Sequence, residues 1–260
     1  MDYKKNSFGI PIAIVVIGLI IAGSLIYINN SSDNTANIGT WNKPITNNGV
    51  HIKGNADAPI LITEYSDTQC PFCKDYHQIM QQVMAKYGDS VAWQYKHFPL
   101  DFIHPYARRE AEAAECVAEI AGEDAYWQYI DSVFASSPSA DRYTDIASAI
   151  GIDMDDFTRC VENDVFHDVV NEQYQDGIDL GAMGTPHSII STKDGREFVL
   201  NGTYPFNAVS LALDMILDGV SDAGINKFLS MLREDVAPEE MQAFLSETYP
   251  KAIENMTIVE

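Results

Sequence analysis

The chain predicts an α/β fold interrupted by a helical insertion, and three observations carry that prediction. Residues 59–98 read strand, helix, strand. Residues from about 105 to 181 read as nearly continuous helix. Residues 186–217 read strand, strand, helix. An apolar run at the N-terminus stands apart from all three and is expected to precede the fold as one transmembrane helix.

That run, Phe8 to Ile28, holds 21 residues without a charge. A helix needs about 20 apolar residues to cross a bilayer. Lys4 and Lys5 precede it, and the next Lys or Arg is Lys43. The bias places the N-terminus in the cytoplasm and the chain beyond residue 30 outside. The alternative is a cleaved signal peptide, whose apolar region is usually about 7–15 residues. Ala22-Gly23-Ser24 is a poor cleavage site, so residues 1–30 are read as a cytoplasmic N-terminus and membrane anchor. Residues 31–49, rich in Ser, Asn, Thr and Gly, read as a flexible tether.

Residues 59–66 are short, apolar and β-rich with Pro at the start, as in a buried strand. From residue 70 to 87, Phe72, Ile79, Met80, Val83 and Met84 are spaced for one helix face, and Gly88 stands at the stop. Val91, Trp93 and Tyr95 alternate as in a second strand. A helix between two strands implies that the strands are parallel. Ala107 to Ile120 is strong helix material. Four further helical runs follow up to Leu180, with breaks at Gly122, Pro138 and Gly151. Lys193-Asp194-Gly195 between two β-rich runs is a hairpin signal. Pro205 to Leu217 reads as a closing amphipathic helix, and residues 219–260 as an acidic helical extension.

The net charge is -22. Asp2 against Lys4 and Lys5 gives residues 1–30 a charge of +1, which leaves -23 on the remainder. Such a surface repels phosphate backbones, and nucleic-acid partners are not expected. All four cysteines, Cys70, Cys73, Cys116 and Cys160, lie beyond the apolar run. In an exported chain an even count fits disulfide pairing. The short loop makes 70–73 the natural pair, which leaves 116 with 160.

Cys70-Pro71-Phe72-Cys73 follows the first strand and opens the first helix. A sulfur at a helix start sits where free N–H groups and the positive end of the dipole converge, which favours thiolate. The same spacing fits a metal clip, with His77 as a possible third ligand, yet no second Cys/His pair completes a set of four. No metal is expected, and His77 reads as a surface helix residue.

Several segments occur in the order of the DsbA-like branch of the thioredoxin superfamily. Asn55-Ala56-Asp57-Ala58-Pro59 resembles its entry to the first core strand. Glu64 to Cys73 resembles its active-site segment. His97-Phe98-Pro99-Leu100 and His104-Pro105 resemble the approach to its helical insertion, and Tyr126-Trp127-Gln128-Tyr129 a helix within it. Gly184-Thr185-Pro186 resembles its cis-proline loop. The likeness covers roughly residues 50–218. Here the loop continues as His187-Ser188-Ile189-Ile190, unlike the Thr and aromatics frequent in the family.

The resemblance implies a thioredoxin fold carrying a helical insertion over about 105–181. It implies an extracytoplasmic thiol–disulfide oxidoreductase whose only redox group is the Cys70–Cys73 disulfide, with no further cofactor. Exported proteins with reduced cysteines would be substrates, and a membrane thiol oxidase would reset the couple. Cys70 is the expected nucleophile and Cys73 its partner. Pro71 and Phe72 would tune the couple. Thr185 and cis Pro186 would lie against the cysteines and receive an extended substrate. Glu64 is either a buried carboxyl exchanging protons with Cys73 or a solvent-facing rim residue. His187 reads as an edge-strand residue beside the cis-proline loop. Cys116 and Cys160 are expected to form a structural disulfide. A reductase, an isomerase or a non-catalytic binding module remain alternatives on the same fold.

Overall fold

A computed structural model describes residues 38–256, and those from Thr40 onward belong to one compact unit. The apolar stretch 8–28, read as membrane-spanning, lies outside the described residues. Among the described residues no helix is long and apolar enough to cross a membrane.

Five strands form one sheet: β1 (His51–Lys53), β2 (Ile60–Ser66), β3 (Val91–His97), β4 (His187–Thr192) and β5 (Glu197–Asn201). Their spatial order is β1-β3-β2-β4-β5. β2 and β3 are parallel, as a strand–helix–strand unit requires, with Glu64 beside Tyr95. The other three pairings are antiparallel. β1 is the strand that local patterning missed, since three residues, His-Ile-Lys, carry no readable alternation.

Helix α1 (Pro71–Tyr87) joins β2 to β3. It starts at Cys70 with Pro at its first position, where a missing N–H costs nothing. The insertion comprises α2 (Ala107–Ala121), α3 (Glu123–Ala135), α4 (Arg142–Ala149), α5 (Met154–Glu162) and α6 (His167–Asp179). α7 (Phe206–Leu217) closes the fold, and α8 (Asp222–Glu234), α9 (Pro238–Thr248) and α10 (Pro250–Met256) form the extension. Ile225, Phe228, Leu229, Leu245 and Ala252 of the extension join the main apolar core together with α7 residues such as Leu213 and Ile216. The extension is therefore packed structure. α6 lies close against the sheet because residue 177 is Gly: a Cβ there would stand 2.7 Å from the Phe98 ring.

The segment read as a tether is anchored in its last part. The Thr46 and Asn47 amides donate to Glu119 at 2.9 and 2.7 Å. Asn47 Nδ2 donates to Glu115 Oε2 at 2.6 Å, and Lys43 pairs with Asp156. Polar composition marked this stretch as solvated, yet its polar groups bind the acidic face of α2 instead.

Two histidine readings are corrected. His77 is buried, 2% exposed, and bonds Asp131 Oδ1 at 2.7 Å while stacking on Phe134. His187 is not on an edge: β4 is flanked by β2 and β5, and the His187 ring is buried against Asn201. In both cases a partner distant in sequence binds one ring nitrogen, which one-dimensional patterning does not register.

Candidate active site

The site gathers at the carboxyl end of β2. The loop Asp67–Cys70 turns from the strand into α1, and Asp67 organises it. One carboxylate oxygen accepts the Gln69 amide at 2.7 Å and the other the Leu100 amide at 2.7 Å. The Asp67 carbonyl accepts the Cys70 amide, and its own amide donates to Cys73 Sγ at 3.4 Å. The loop is also held from the insertion. Thr68 Oγ1 donates to Glu110 at 2.6 Å, Arg142 pairs with Glu110, and Arg142 Nη2 donates to the Thr68 carbonyl at 3.2 Å. All three side chains are buried.

Cys70 and Cys73 are both thiols in this structure. Cys70 retains 5% exposure and Cys73 none, so Cys70 is the sulfur a substrate can reach. The Cys70 S–H donates to the Thr185 carbonyl at 3.5 Å. The Cys70 thiol is pulled down to about 6, chiefly by the Cys73 S–H, against the opposing effect of burial. The Thr185 side chain and the Cys73 and Phe72 amides at the helix start add to the shift. Cys73 is pushed well above the ordinary thiol value, first by burial, then by Cys70 and by the charge of Glu64. The two sulfurs are thus driven apart, one towards thiolate and one towards thiol.

Glu64 is wholly buried on β2 and accepts the Trp93 indole N–H at 2.9 Å. Its second oxygen has no partner. Burial raises its carboxyl to about 7 against the opposing pull of Ser66 and Trp93. Of the two readings for Glu64, the solvent-facing one is excluded.

Thr185-Pro186 is cis, as the resemblance implied, and its carbonyl contact places it beside Cys70. An open groove runs past it, lined by Met183, Gly184, Thr185, Pro186, Asn201 and Gly202. Pro71 opens α1, and Phe72 stands 62% exposed next to Cys70 with its carbonyl accepting from Thr203 Oγ1. Cys116 and Cys160 are joined as a disulfide between α2 and α5, both wholly buried. Among the described residues no cluster of three or more His, Cys, Asp or Glu is placed to hold a metal.

Sequence reasoning named the cysteines, Glu64 and the Thr185-Pro186 loop, and missed Asp67, Trp93, Glu110 and Arg142. Asp67 carried a local signal, since an Asp two residues before a donor amide favours a turn. The other three act across 29 to 74 positions, and no local pattern marks them.

A thioredoxin family model, Thioredoxin_4, matches residues 46–201, more than half of the chain, and the chain belongs to that family. Its fold is shared with solved DsbA-like proteins. DsbA2 of Pseudomonas aeruginosa superposes with a TM-score of 0.55 at 22% identity, covering 70% of this chain and all of that one. Alpha-DsbA1 of Wolbachia pipientis does so with a TM-score of 0.57 at 21% identity, covering 66% and 96%. Among curated proteins, the Na(+)/H(+) antiporter NhaA 1 of Mycolicibacterium gilvum is 31% identical over 176 residues, which is 65% of this chain. NhaA 3 of Salinispora tropica is 29% identical over 174 residues. The match spans only about a quarter of those antiporters.

Proposed function

We propose that this protein is an extracytoplasmic thiol–disulfide oxidoreductase that oxidises cysteine pairs in exported proteins. The observation that carries the reading is the opposed pair of thiols: Cys70 reachable and lowered to about 6, Cys73 buried and raised. A thiol that ionises readily is also a good leaving group.

In the oxidised protein, a substrate thiolate attacks Cys70 Sγ. The Cys70–Cys73 bond breaks, a mixed disulfide forms at Cys70, and Cys73 leaves with the electron pair. Glu64, with its carboxyl near 7, holds a proton at neutral pH that Cys73 can take. A second substrate thiolate then attacks the substrate sulfur of the mixed disulfide, and Cys70 departs as thiolate. The substrate has lost two electrons, its two thiol protons have gone to solvent, and the protein holds the Cys70 thiolate and the Cys73 thiol, with Glu64 reprotonated from solvent. The groove past Thr185 and Pro186 offers backbone to an extended substrate, and exposed Phe72 and Met183 offer apolar contact. A thiol oxidase in the membrane would return the couple to disulfide, and the apolar segment 8–28 would tether the domain there. Pro71 and Phe72, between the sulfurs, set how many amides reach Cys70.

The test is oxidative refolding of a reduced substrate. Cys70→Ser is expected to abolish it, and so is Cys73→Ala, which leaves no disulfide for the substrate thiolate to attack; activity persisting in Cys70→Ser sinks the proposal. The potential of the couple decides the direction. A value of about -120 mV, as in DsbA, means an oxidant, and about -270 mV, as in thioredoxin, a reductant.

A further inference from the structure

Two hollows flank Cys70, and their linings share no residue. One is the groove past Thr185 and Pro186. The other is a half-open cavity of about 140 Å³ between the active-site loop and the turn from α3 to α4. Thr68, Gln69 and Cys70 form one wall, Lys74 of α1 stands at the side, and Ser137 and Arg142 line the insertion wall. Ligand pockets for cofactor-sized molecules run to about 300–1,000 Å³, so this cavity suits a single side chain.

Its charge is opposite to that of the chain around it. The sequence has 38 Asp and Glu against 16 Lys and Arg, yet the lining holds two cations and no carboxylate. Arg142 is neutralised by Glu110 behind the wall. Lys74 has no acidic partner among the described residues, and the Ser137 hydroxyl has no acceptor among them. The backbone amides opening α1 add positive potential at the same place.

We propose that this cavity is a recognition subsite for an acidic side chain, Asp or Glu, carried within two residues of the substrate's reacting cysteine. The inference rests on the thiol–disulfide reading, because the cavity has this use only while a substrate cysteine is held at Cys70. Selection there is local. At long range the negative surface repels acidic peptides, so only an acid that reaches Lys74 and Ser137 gains.

The test compares short cysteine peptides of equal net charge as reductants of the oxidised full-length protein. One series carries its Asp beside the cysteine, another carries it eight residues away, and a third carries none. The adjacent-Asp peptides are expected to react about three- to fivefold faster than the distant-Asp ones, the range of a partly solvated ion pair. With each rate taken relative to that of the peptide without acid on the same protein, Lys74→Gln should erase the difference and Lys74→Glu should invert it. Equal rates for adjacent and distant Asp overturn the subsite, as does an adjacent-Asp preference that survives Lys74→Glu. Failure to react with any peptide overturns the thiol–disulfide reading itself.

Discussion

The two cysteine pairs meet burial in opposite ways. Cys116 and Cys160 lie in apolar surroundings between α2 and α5, 44 positions apart, and are joined. Cys70 and Cys73 lie three positions apart, among groups that make each thiol unlike the other. The difference is not depth, since all four are at most 5% exposed. It lies in what meets the sulfurs: amides, a carbonyl and a half-satisfied carboxyl at one pair, and the partner sulfur itself at the other. The buried carboxyls repeat the lesson. Glu115 accepts from His51 and Asn47, lies near His97, and is held well below the usual carboxylate range despite burial. Glu64, with no cation beside it among the described residues, is raised by burial to about 7. A charged histidine, His51, raised to about 9, makes Glu115 a fixed charge, and its absence leaves Glu64 a proton source.

The comparison breaks most directly at Arg142. Arg142→Met strands the Glu110 carboxylate and is expected to cost about 3–5 kcal/mol. Because Arg142 also holds the Thr68 carbonyl, the reduced protein should show an altered Cys70 ionisation curve, read by the pH dependence of alkylation. Wild-type stability in the variant would detach the active-site loop from the insertion. Removing the other pair should do the reverse. Cys116→Ala with Cys160→Ala opens a long loop and should lose about 4 kcal/mol in denaturant unfolding, while the Cys70 midpoint stays near 6.

The carboxyl contrast is sharpened by pH. The folded value of Glu64 exceeds the unfolded one, so its contribution is fully present below 4.5 and is lost as pH rises through 7. Glu64→Gln keeps an acceptor for Trp93 and removes that loss. Its stability should match wild type at pH 4 and exceed it by up to about 3 kcal/mol at pH 8. Substrate oxidation should slow in the same variant. His51, raised to about 9 by Glu115 and Glu123 against burial, obeys the same sign over a higher window. Its contribution is complete below 6.5 and fades towards 9, and His51→Gln should flatten the unfolding free energy across that interval. The smallest effect falls on Phe72. It is largely exposed, and Phe72→Ala should change stability by no more than about 0.5 kcal/mol while shifting the potential of the couple.

Much of this arrangement was legible in the sequence. β2, α1 and β3 were set by apolar spacing, the β4–β5 hairpin by Asp-Gly, and the insertion by its run of helix formers. Of the two expected cysteine pairs, Cys116–Cys160 is joined, while Cys70 and Cys73 are thiols in this structure. What escaped was partner choice. His77 reads as a surface residue until Asp131 and Phe134 close on it, and a strand as short as β1 has no period. Arg142 and Glu110 sit on separate helices, and nothing near either names the other. Local pattern fixes which face of an element turns inward. It does not say which polar side chains will meet there.

The anchoring of Thr46 and Asn47 to α2 has a mechanical consequence. A pull on the chain upstream of residue 46 reaches Glu115 and Glu119 before it reaches the sheet. Between those two acids sits Cys116, riveted to α5. Force therefore enters the cross-linked helices first, and β2 with the cysteine-bearing start of α1 beyond it lies further along the chain.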